Sequence, residues 1–379
     1  MIEVSIFAAI VMALGLGYFF TAMYLLSHPQ PTHSTPFRLP KVAVIIAMRN
    51  EEEHILECLQ SLKEQTYPEH LYDVYVANDR STDASGQIAE TYIENLTRFH
   101  LIKITEDKFN LKGKMNVLAQ VLEQIESDLI LITDADCIVP PKWIGTFVDY
   151  FEEDTGIAAG LTTLVPPPAL ENIKIKSGLF KNIQALDWIY LQTLAAACSN
   201  AKMPVSMLGN NFGFSMQAYR DTGTFKKIGF SVTEDYALMR AIEKTGKWSI
   251  KYTQNSDNTI FSHPLKNLMQ FYHQRKRWVI GGKGMRSWGY FMAGLSALSH
   301  LAMLLCFILM YWEITAAVGI GLIIGTDYLI INRQLKKLSL NRLMKYFVPF
   351  EIFYTIYLIF FGAAFPFMKK VKWKERELI

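Results

Sequence analysis

Five short polar signatures occur along this chain in an order that could support phosphate, metal and proton-transfer chemistry. They are Arg49-Asn50-Glu51, Asn78-Asp79, Asp134-Ala135-Asp136, Thr233-Glu234-Asp235 and Gln274-Arg275-Lys276-Arg277-Trp278. Each one taken alone has an ordinary structural explanation, such as a helix cap or a surface turn. Together they predict a protein that holds a metal diphosphate, activates a hydroxyl group and works at a membrane surface.

The pair Asp134 and Asp136 gives the clearest chemical signal. It directly follows a mostly apolar run, residues 129–133, and two carboxylates there are costly unless a cation binds them. A spacing of two lets both side chains reach one hard cation through oxygen atoms. Mg²⁺ or Mn²⁺ bridging a diphosphate suits this arrangement, because Mg²⁺ usually keeps substrate phosphate oxygens as ligands. The alternative is a capping turn that carries surface acids.

The acids Glu234 and Asp235 open a predicted helix. Thr233 could cap that helix, and the two acids would complement its dipole. A cap and a catalytic base can share one helix start. Glu51 and Asp79 also follow predicted strands and are candidate functional residues. The structural alternative for Glu51 is a charge in the first turn of a helix, and for Asp79 it is a strand-to-helix turn.

Gln274–Trp278 combines two arginines, a lysine and a tryptophan. Arg275 and Arg277 beside Trp278 would form a phosphate clamp with a stacking platform. The alternative is a basic segment next to the membrane, because an apolar run begins at Tyr290.

The elements that must position these residues alternate between strands and helices in the first half of the chain. We predict strands over 42–47, 72–77, 100–104 and 128–133, and helices over 51–65, 84–96 and 113–125. This alternation is typical of an α/β fold with a mostly parallel sheet and helices on both faces. Functional groups should gather where the strands end. A further strand over 156–165 and a long helix over 173–197 are predicted next.

The composition indicates a chain that is divided between water and membrane. Of its 379 residues 51% are hydrophobic, and the mean hydropathy is +0.15. The apolar run over 2–26 is long enough to cross a bilayer and is predicted to be an uncleaved anchor. Further apolar runs cover 290–312, 314–331 and 346–367. We therefore predict an anchor over 1–27, a Pro-rich linker over 28–40, a soluble domain over 41–288 and C-terminal membrane segments over 289–379. These comprise two spans, a third span or re-entrant segment, and a basic tail.

Charge and cysteine usage limit the partners and the compartment. A net charge of +3 does not argue for nucleic acid, so none is predicted as a partner. Basic clusters flank the apolar runs and place the soluble domain on the cytoplasmic side of a bacterial-type inner membrane. The four cysteines are scattered without metal-ligand spacing, which fits reduced thiols in a cytosol-facing domain.

With two further motifs, Gly113-Lys114-Met115-Asn116-Val117-Leu118 and Gly209-Asn210-Asn211, the ordered signatures resemble family 2 glycosyltransferases. These are membrane-anchored, inverting enzymes with a Rossmann-like GT-A domain that binds a nucleotide sugar. The resemblance covers about residues 41–278. Two departures are Ala47, where the family often has proline, and Asn78, which replaces an acid and leaves Asp79 as the carboxylate of that turn.

The resemblance implies a role for each matching residue. The nucleotide sugar, a UDP-sugar by expectation, would be bound by Arg49, Glu51, Asp79, Lys114, Asp134, Arg275 and Arg277. Asp136 would hold Mg²⁺ or Mn²⁺. Asp235 would be the general base, with Glu234 beside it. The acceptor, a lipid or lipid-linked molecule, would meet Asn210, Asn211 and Trp278.

Two other hypotheses remain open at the sequence level. A processive polysaccharide synthase is possible because Gln-x-x-Arg-Trp also occurs in polymerising members, although a chain with at most four spans favours one sugar per event. A non-catalytic membrane scaffold is the remote alternative, since every carboxylate expected for metal and base is present.

Overall fold

The structure is a computed structural model that describes residues 2–32, 38–175, 178–368, 372–373 and 376–377. Residues 33–37 of the predicted linker and Lys369, Lys370 and Lys374 of the predicted basic tail lie outside the described residues. The chain divides into two compact units. The sheet unit comprises Gln30–Ile175, Ser206–Gly282 and Lys369–Ile379. The helical unit comprises Met1–Pro29, Lys176–Val205 and Lys283–Met368.

The strands are β1 (Val42–Met48), β2 (Tyr72–Asp79), β3 (Phe99–Ile104), β4 (Leu129–Asp134), β5 (Cys137–Ile138), β6 (Thr155–Ala159), β7 (Thr162–Thr163), β8 (Asn211–Ser215), β9 (Ser249–Tyr252), β10 (Ile260–Ser262), β11 (Lys372–Trp373) and β12 (Arg376–Glu377). The α-helices are α1 (Ile2–Ser27), α2 (Ile55–Lys63), α3 (Ser85–Ile93), α4 (Gly113–Leu122), α5 (Trp143–Val148), α6 (Leu179–Asn200), α7 (Met216–Asp221), α8 (Thr224–Ile228), α9 (Glu234–Lys244), α10 (Leu268–Gly281), α11 (Ser287–Cys306), α12 (Ile314–Lys337) and α13 (Phe347–Ala364).

The central sheet of the sheet unit has the strand order β3-β2-β1-β4-β8-β6-β9. The strands β3, β2, β1 and β4 are parallel, whereas β8 is antiparallel to both of its neighbours. Strands β1 and β4, in the middle of the sheet, are buried on both faces and consist of near-continuous apolar runs, as Val42–Met48 does. This mostly parallel α/β sheet confirms the fold class expected from the sequence.

A second, small sheet fixes the segment after the Asp134–Asp136 motif. Its strand order is β5-β10-β7, and β10 is antiparallel to β5 and parallel to β7. The predicted single strand over 156–165 is therefore two strands that belong to different sheets. The change of sheet occurs between Ala159 and Thr162, where Gly160 lies in close contact with the Asn211 amide.

The helical unit collects the apolar segments of the chain. Four helical stretches are long and apolar enough to cross a membrane: Val4–Ser27, Ser287–Tyr311, Ile314–Lys337 and Asn341–Phe367. Helix α6 belongs to the same unit, so the part of the predicted 41–288 domain that it occupies packs with the apolar helices. The domain boundaries themselves stay a prediction.

Close backbone contact joins α1 to α12 within this unit. A methyl group on Gly15 would lie 2.6 Å from the carbonyl oxygen of Gly319. Small residues allow helices to approach in this way where the surrounding medium supplies no hydrophobic drive for association. All four cysteines are free and buried.

Candidate active site

Three of the five signatures meet at one edge of the central sheet. The register pairs Met48 with Asn78 and Ala47 with Asp134, so β1, β2 and β4 end side by side. Strand β1 lies between β2 and β4, and the chain order reverses there. Ligands of open parallel sheets bind at such a switch point, outside the carboxyl ends of the strands.

Arg49 and Asp79 are held firmly at this edge. The Nη1 atom of Arg49 donates hydrogen bonds to the carbonyl oxygens of Asp79 and Arg80, at 2.6 and 3.0 Å. The buried Asp79 carboxylate pairs with Arg80, whose Nη2 lies 2.7 Å from Oδ1. Asn50 and Arg80 adopt positive φ values of 52° and 55°, which are uncommon outside glycine. Strained backbone of this kind clusters at functional sites.

Glu51 lies beside the same turn. Its backbone N–H donates to Ser85 Oγ at 2.6 Å, which ties the end of β1 to the start of α3. The structure therefore brings Arg49, Glu51 and Asp79 together as predicted. Their contact with a nucleoside stays a prediction.

Lys114 joins the Asp134 motif to the Glu234-Asp235 motif. Its Nζ lies 2.7 Å from Asp134 Oδ1 and 3.0 Å from Glu234 Oε1, and it donates to the carbonyl oxygen of Gly209 at 2.6 Å. Burial lowers the pKa of Lys114, but the Asp134 and Glu234 carboxylates outweigh burial and leave its pKa raised. The lysine therefore stays protonated and holds the two acidic motifs together.

Asp235 is a buried acid with a perturbed pKa. Only 8% of the residue is exposed. Burial, together with the charge of Glu234, raises the pKa of Asp235 to about 7. The Tyr236 backbone N–H, which donates to Oδ1 at 2.7 Å, and the cations Lys114 and Arg277 act in the opposite direction. A carboxylate whose pKa lies near neutral is suited to accept a proton during a reaction.

The neighbouring Gly209 leaves space for this pair. A methyl group at Gly209 would lie 2.8 Å from Asp235 Oδ2 and 3.0 Å from Glu234 Oε1. Glycine at this position lets the backbone approach both carboxylates while its carbonyl group accepts the Lys114 hydrogen bond. Thr233 is the residue before α9, as predicted, but its side chain makes no capping hydrogen bond.

Asp136 lies next to a group of side chains that the sequence analysis did not single out. His54, Glu57 and His263 offer ligand atoms that lie within 4.8 Å of one another. The ring of His54 stacks on that of His263 with centroids 4.0 Å apart. Burial and His263 lower the pKa of His54, whereas Asp136 raises it. The available sequence signal was a histidine directly after the short strand β10.

The donor set around Asp136 fits a divalent metal ion. Ser262 Oγ lies 3.5 Å from Asp136 Oδ2, so the pairing of β10 with β5 carries His263 toward this carboxylate. Carboxylate oxygens suit Mg²⁺ and Mn²⁺, and imidazoles suit transition-metal ions such as Zn²⁺ and Fe²⁺.

Asn210 and Asn211 are both buried and hydrogen-bonded inside the sheet unit. The Asn211 amide donates to the carbonyl oxygens of Leu161 and Asn258, and its Oδ1 accepts from Trp143 Nε1 at 2.9 Å. Asn210 Oδ1 accepts from Thr162 Oγ1 at 2.9 Å. These contacts join the two sheets. The predicted contact of both residues with the acceptor stays a prediction.

Helix α10 carries the Gln274–Trp278 segment. Arg275 is buried, and its guanidinium lies 4.5 Å from the Phe271 ring centroid and 4.0 Å from that of Trp278. The Arg275 guanidinium thereby packs on the ring of Trp278. The positive charge of Arg277, in contrast, acts to lower the pKa of Asp235. The C-terminal end of α10 lies close to Thr233, because a methyl group on Gly281 would lie 2.3 Å from the Thr233 methyl carbon.

Comparisons with known proteins agree with this geometry. A family model described as glycosyl transferase family 2 matches residues 43–208, and one described as glycosyl transferase family group 2 matches residues 129–366, which is more than half of the chain.

The chain belongs to glycosyltransferase family 2.

Individual relatives support an enzyme of this family. The chain is 24% identical over 243 residues to a beta-monoglucosyldiacylglycerol synthase of Synechocystis. The matched region covers 64% of this chain and 48% of that protein. It is 26% identical over 151 residues to a hyaluronan synthase of Streptococcus pyogenes, covering 40% and 33%. The chain thus spans about half the length of the former and a third of the latter. Relatives of this family 2 glycosyltransferase therefore make both a glycolipid and a polysaccharide.

One solved structure shares the fold over nearly the whole chain. A mannosyltransferase from Pyrobaculum calidifontis, in complex with GDP-Man and Mn²⁺, has a TM-score of 0.58 at 17% identity and covers 93% of this chain and 98% of its own. The GT-A expectation is confirmed, and the chain is a glycosyltransferase.

Proposed function

We propose that this glycosyltransferase transfers a sugar from a nucleotide sugar, with UDP as the nucleotide, to a hydroxyl group of a lipid or lipid-linked acceptor, with inversion at the anomeric carbon. The observation that carries the proposal is the buried Asp235, with its pKa near neutral, beside the Lys114–Asp134 pair. In this proposal the base and the nucleotide-sugar edge share one site.

In the proposed reaction, Asp235 takes the proton of the acceptor hydroxyl as the oxygen attacks the anomeric carbon. The bond from that carbon to the nucleoside diphosphate breaks in the same displacement, and the configuration inverts. Positioned proton transfer of this kind contributes about 10²–10⁴-fold to the rate. Lys114 keeps Asp134 and Glu234 in place, and Arg277 provides positive charge near the leaving group.

Asp136 is proposed to hold the divalent ion, with His54, Glu57 and His263 as further donors. Such an ion, when bound, neutralises negative charge on the diphosphate. The group of His54, Glu57 and His263, whose ligand atoms lie within 4.8 Å of one another, supports this proposal. Of the expected ions Mn²⁺ and Mg²⁺, the two histidines favour Mn²⁺, because Mg²⁺ prefers oxygen ligands.

Two observations favour a lipid acceptor at a membrane. Four helical stretches are apolar enough to span a bilayer, and the glycolipid synthase of Synechocystis matches 64% of the chain. Basic residues at the ends of these stretches, among them Lys283, Arg286 and Lys336, support a cytoplasmic active site in this proposal, by the positive-inside rule.

The test uses the full chain in nanodiscs with a panel of nucleotide sugars and extracted bacterial lipids. Release of nucleoside diphosphate identifies the donor, and mass spectrometry of the lipids identifies the product. Asp235→Asn should abolish transfer, whereas Asp257→Asn, a half-exposed surface acid, should not. Unchanged transfer by both Asp235→Asn and Asp136→Ala would exclude the proposed mechanism.

A processive synthase is the second candidate, supported by the match to hyaluronan synthase over 151 residues. It predicts a ladder of polymer lengths from the purified protein. A lipid carrying one added sugar, with no ladder, is the result expected from the first candidate.

A further inference from the structure

The helical unit contains a group of three ionisable side chains within its apolar helices. His300 lies on α11, Asp327 on α12 and Glu351 on α13. His300 and Asp327 are fully buried and Glu351 is 6% exposed. Ionisable residues inside candidate membrane spans are costly, and they mark functional positions by default. Neither the proposed transfer reaction nor its active site uses these three residues.

The hydrogen bond made by Nδ1 of His300 limits the partners that Nε2, its other ring nitrogen, can have. Nδ1 lies 2.7 Å from the carbonyl oxygen of Ser296, which can only accept, so Nδ1 carries the proton. In the neutral ring Nε2 then carries a lone pair and can only accept a hydrogen bond or bind a cation. It lies 3.0 Å from Asp327 Oδ2 and 3.5 Å from Glu351 Oε1. Unless Nε2 also carries a proton, three acceptors face one another here and require a cation between them.

Glu351 makes the requirement stronger. Neither of its carboxylate oxygens has a hydrogen-bond partner within the described part of the chain, although both are buried. An isolated carboxylate in an apolar interior is very unfavourable. One proton shared between His300 and Asp327 would leave Glu351 unsatisfied, whereas an ion at the centre would satisfy all three side chains.

The surroundings are organised as they are around bound metals. Asp327 Oδ1, the oxygen that faces away from His300, accepts from Tyr18 at 2.5 Å and from Tyr190 at 3.0 Å. His300 is oriented by a backbone carbonyl group. Metal-ligating histidines and carboxylates are usually fixed by outer hydrogen bonds of this kind.

We propose that His300, Asp327 and Glu351 bind one Zn²⁺ ion that fastens α11, α12 and α13 together. Zn²⁺ bonds of about 2.0 Å in a tetrahedron place ligand atoms about 3.3 Å apart, and the two distances to Nε2 are 3.0 and 3.5 Å. The imidazole ligand disfavours Mg²⁺ and Ca²⁺, which prefer oxygen. Two carboxylates and a neutral histidine also balance the charge of a divalent ion.

The test measures metal in the full chain, purified in detergent from zinc-supplemented cells and dialysed briefly against a weak chelator. Mass spectrometry of the metal should find about one more zinc per wild-type chain than per Glu351→Gln chain. Glu351→Gln and His300→Gln should each remove it. His263→Gln, which disrupts the donor group of the sheet unit, and Ser299→Ala, which removes a neighbouring buried hydroxyl, should leave it in place. Tyr18→Phe should weaken binding about 10- to 100-fold.

A second measurement needs no variant. Cobalt substituted into the wild-type chain should give the absorption bands of a tetrahedral ion, and zinc should raise the melting temperature of the metal-free wild type but not of Glu351→Gln. The proposal is overturned if wild type and Glu351→Gln contain equal zinc, or if zinc leaves the wild-type melting temperature unchanged. In that case protons occupy the group. Either result leaves the proposed sugar transfer untouched, because the readouts are metal content and melting temperature.

Discussion

Replacing Asp235 with asparagine should remove sugar transfer and stabilise the protein at the same time. The acid is 8% exposed and lies beside Glu234, and burial with this neighbouring charge raises the pKa of Asp235 from 3.8 to about 7. Above pH 7 the folded protein therefore holds a carboxylate that is more stable in the unfolded chain. Asparagine has nearly the same shape and no charge, so it relieves this cost.

The size of the effect follows from the linkage between pKa and stability. The difference between 3.8 and about 7 corresponds to an upper limit of about 4 kcal/mol at pH 8, at about 1.4 kcal/mol per pKa unit. The sign is that of a carboxyl group with a raised pKa: the folded state binds more protons, so stability falls as pH rises from about 4 to 7. At pH 5 the folded Asp235 is protonated, and the gain from asparagine should be about 2–3 kcal/mol smaller.

Thermal unfolding of the full chain in detergent, measured at pH 5 and pH 8, checks this expectation. Asp235→Asn should raise the melting temperature more at pH 8 than at pH 5, while the rate of donor turnover falls by about 10²-fold or more. Wild-type kcat/KM should rise with pH around 7 and then level off, because the base works deprotonated. Asp257→Asn serves as the control. A lower melting temperature at pH 8 for Asp235→Asn would refute the assigned burial cost.

Three further substitutions test the packing around the site and between the helices. Lys114→Met leaves two carboxylates unpaired and should reduce turnover by at least about 10²-fold and destabilise the chain by about 3–5 kcal/mol, measured by donor hydrolysis and melting temperature. Gly209→Ala should push a methyl group against the base and lower turnover with little loss of secondary structure, whereas Gly145→Ala, which has open space, should not. Gly319→Ala should lower the melting temperature by an overpacking cost of about 1–3 kcal/mol, and Gly321→Ala, a glycine with no neighbour in the way, should leave it unchanged. An equal effect of each glycine substitution and its control would contradict the close approaches described above.

Local patterns were enough to predict the sheet edge. The apolar runs of β1, β2 and β4 end directly before polar signatures, and parallel strands place their carboxyl ends together, so Arg49, Asp79 and Asp134 could be expected side by side. The identity of the family was likewise available from the order of the motifs, and the family comparison confirms it. Individual roles at the site remain predictions.

Other features depended on contacts between distant segments. The strand predicted over 156–165 divides because each half pairs with a different sheet, which no local period reveals. The group of His54, Glu57 and His263 was missed because His263 lies more than 200 residues from the other two in the chain. The buried group of His300, Asp327 and Glu351 was missed for a similar reason, since each looks like an isolated polar residue in its own apolar helix.

The sequence by itself determined the family, the α/β class and the apolar segments, because motif order, strand periodicity and hydropathy are local properties of the chain. Only the tertiary structure decided the electrostatics. The pKa of Asp235 depends on burial and on Glu234, Lys114 and Arg277, and the protonation of Lys114 depends on two carboxylates from other elements. Such quantities depend on distances and desolvation, which exist only once the strands and helices have packed.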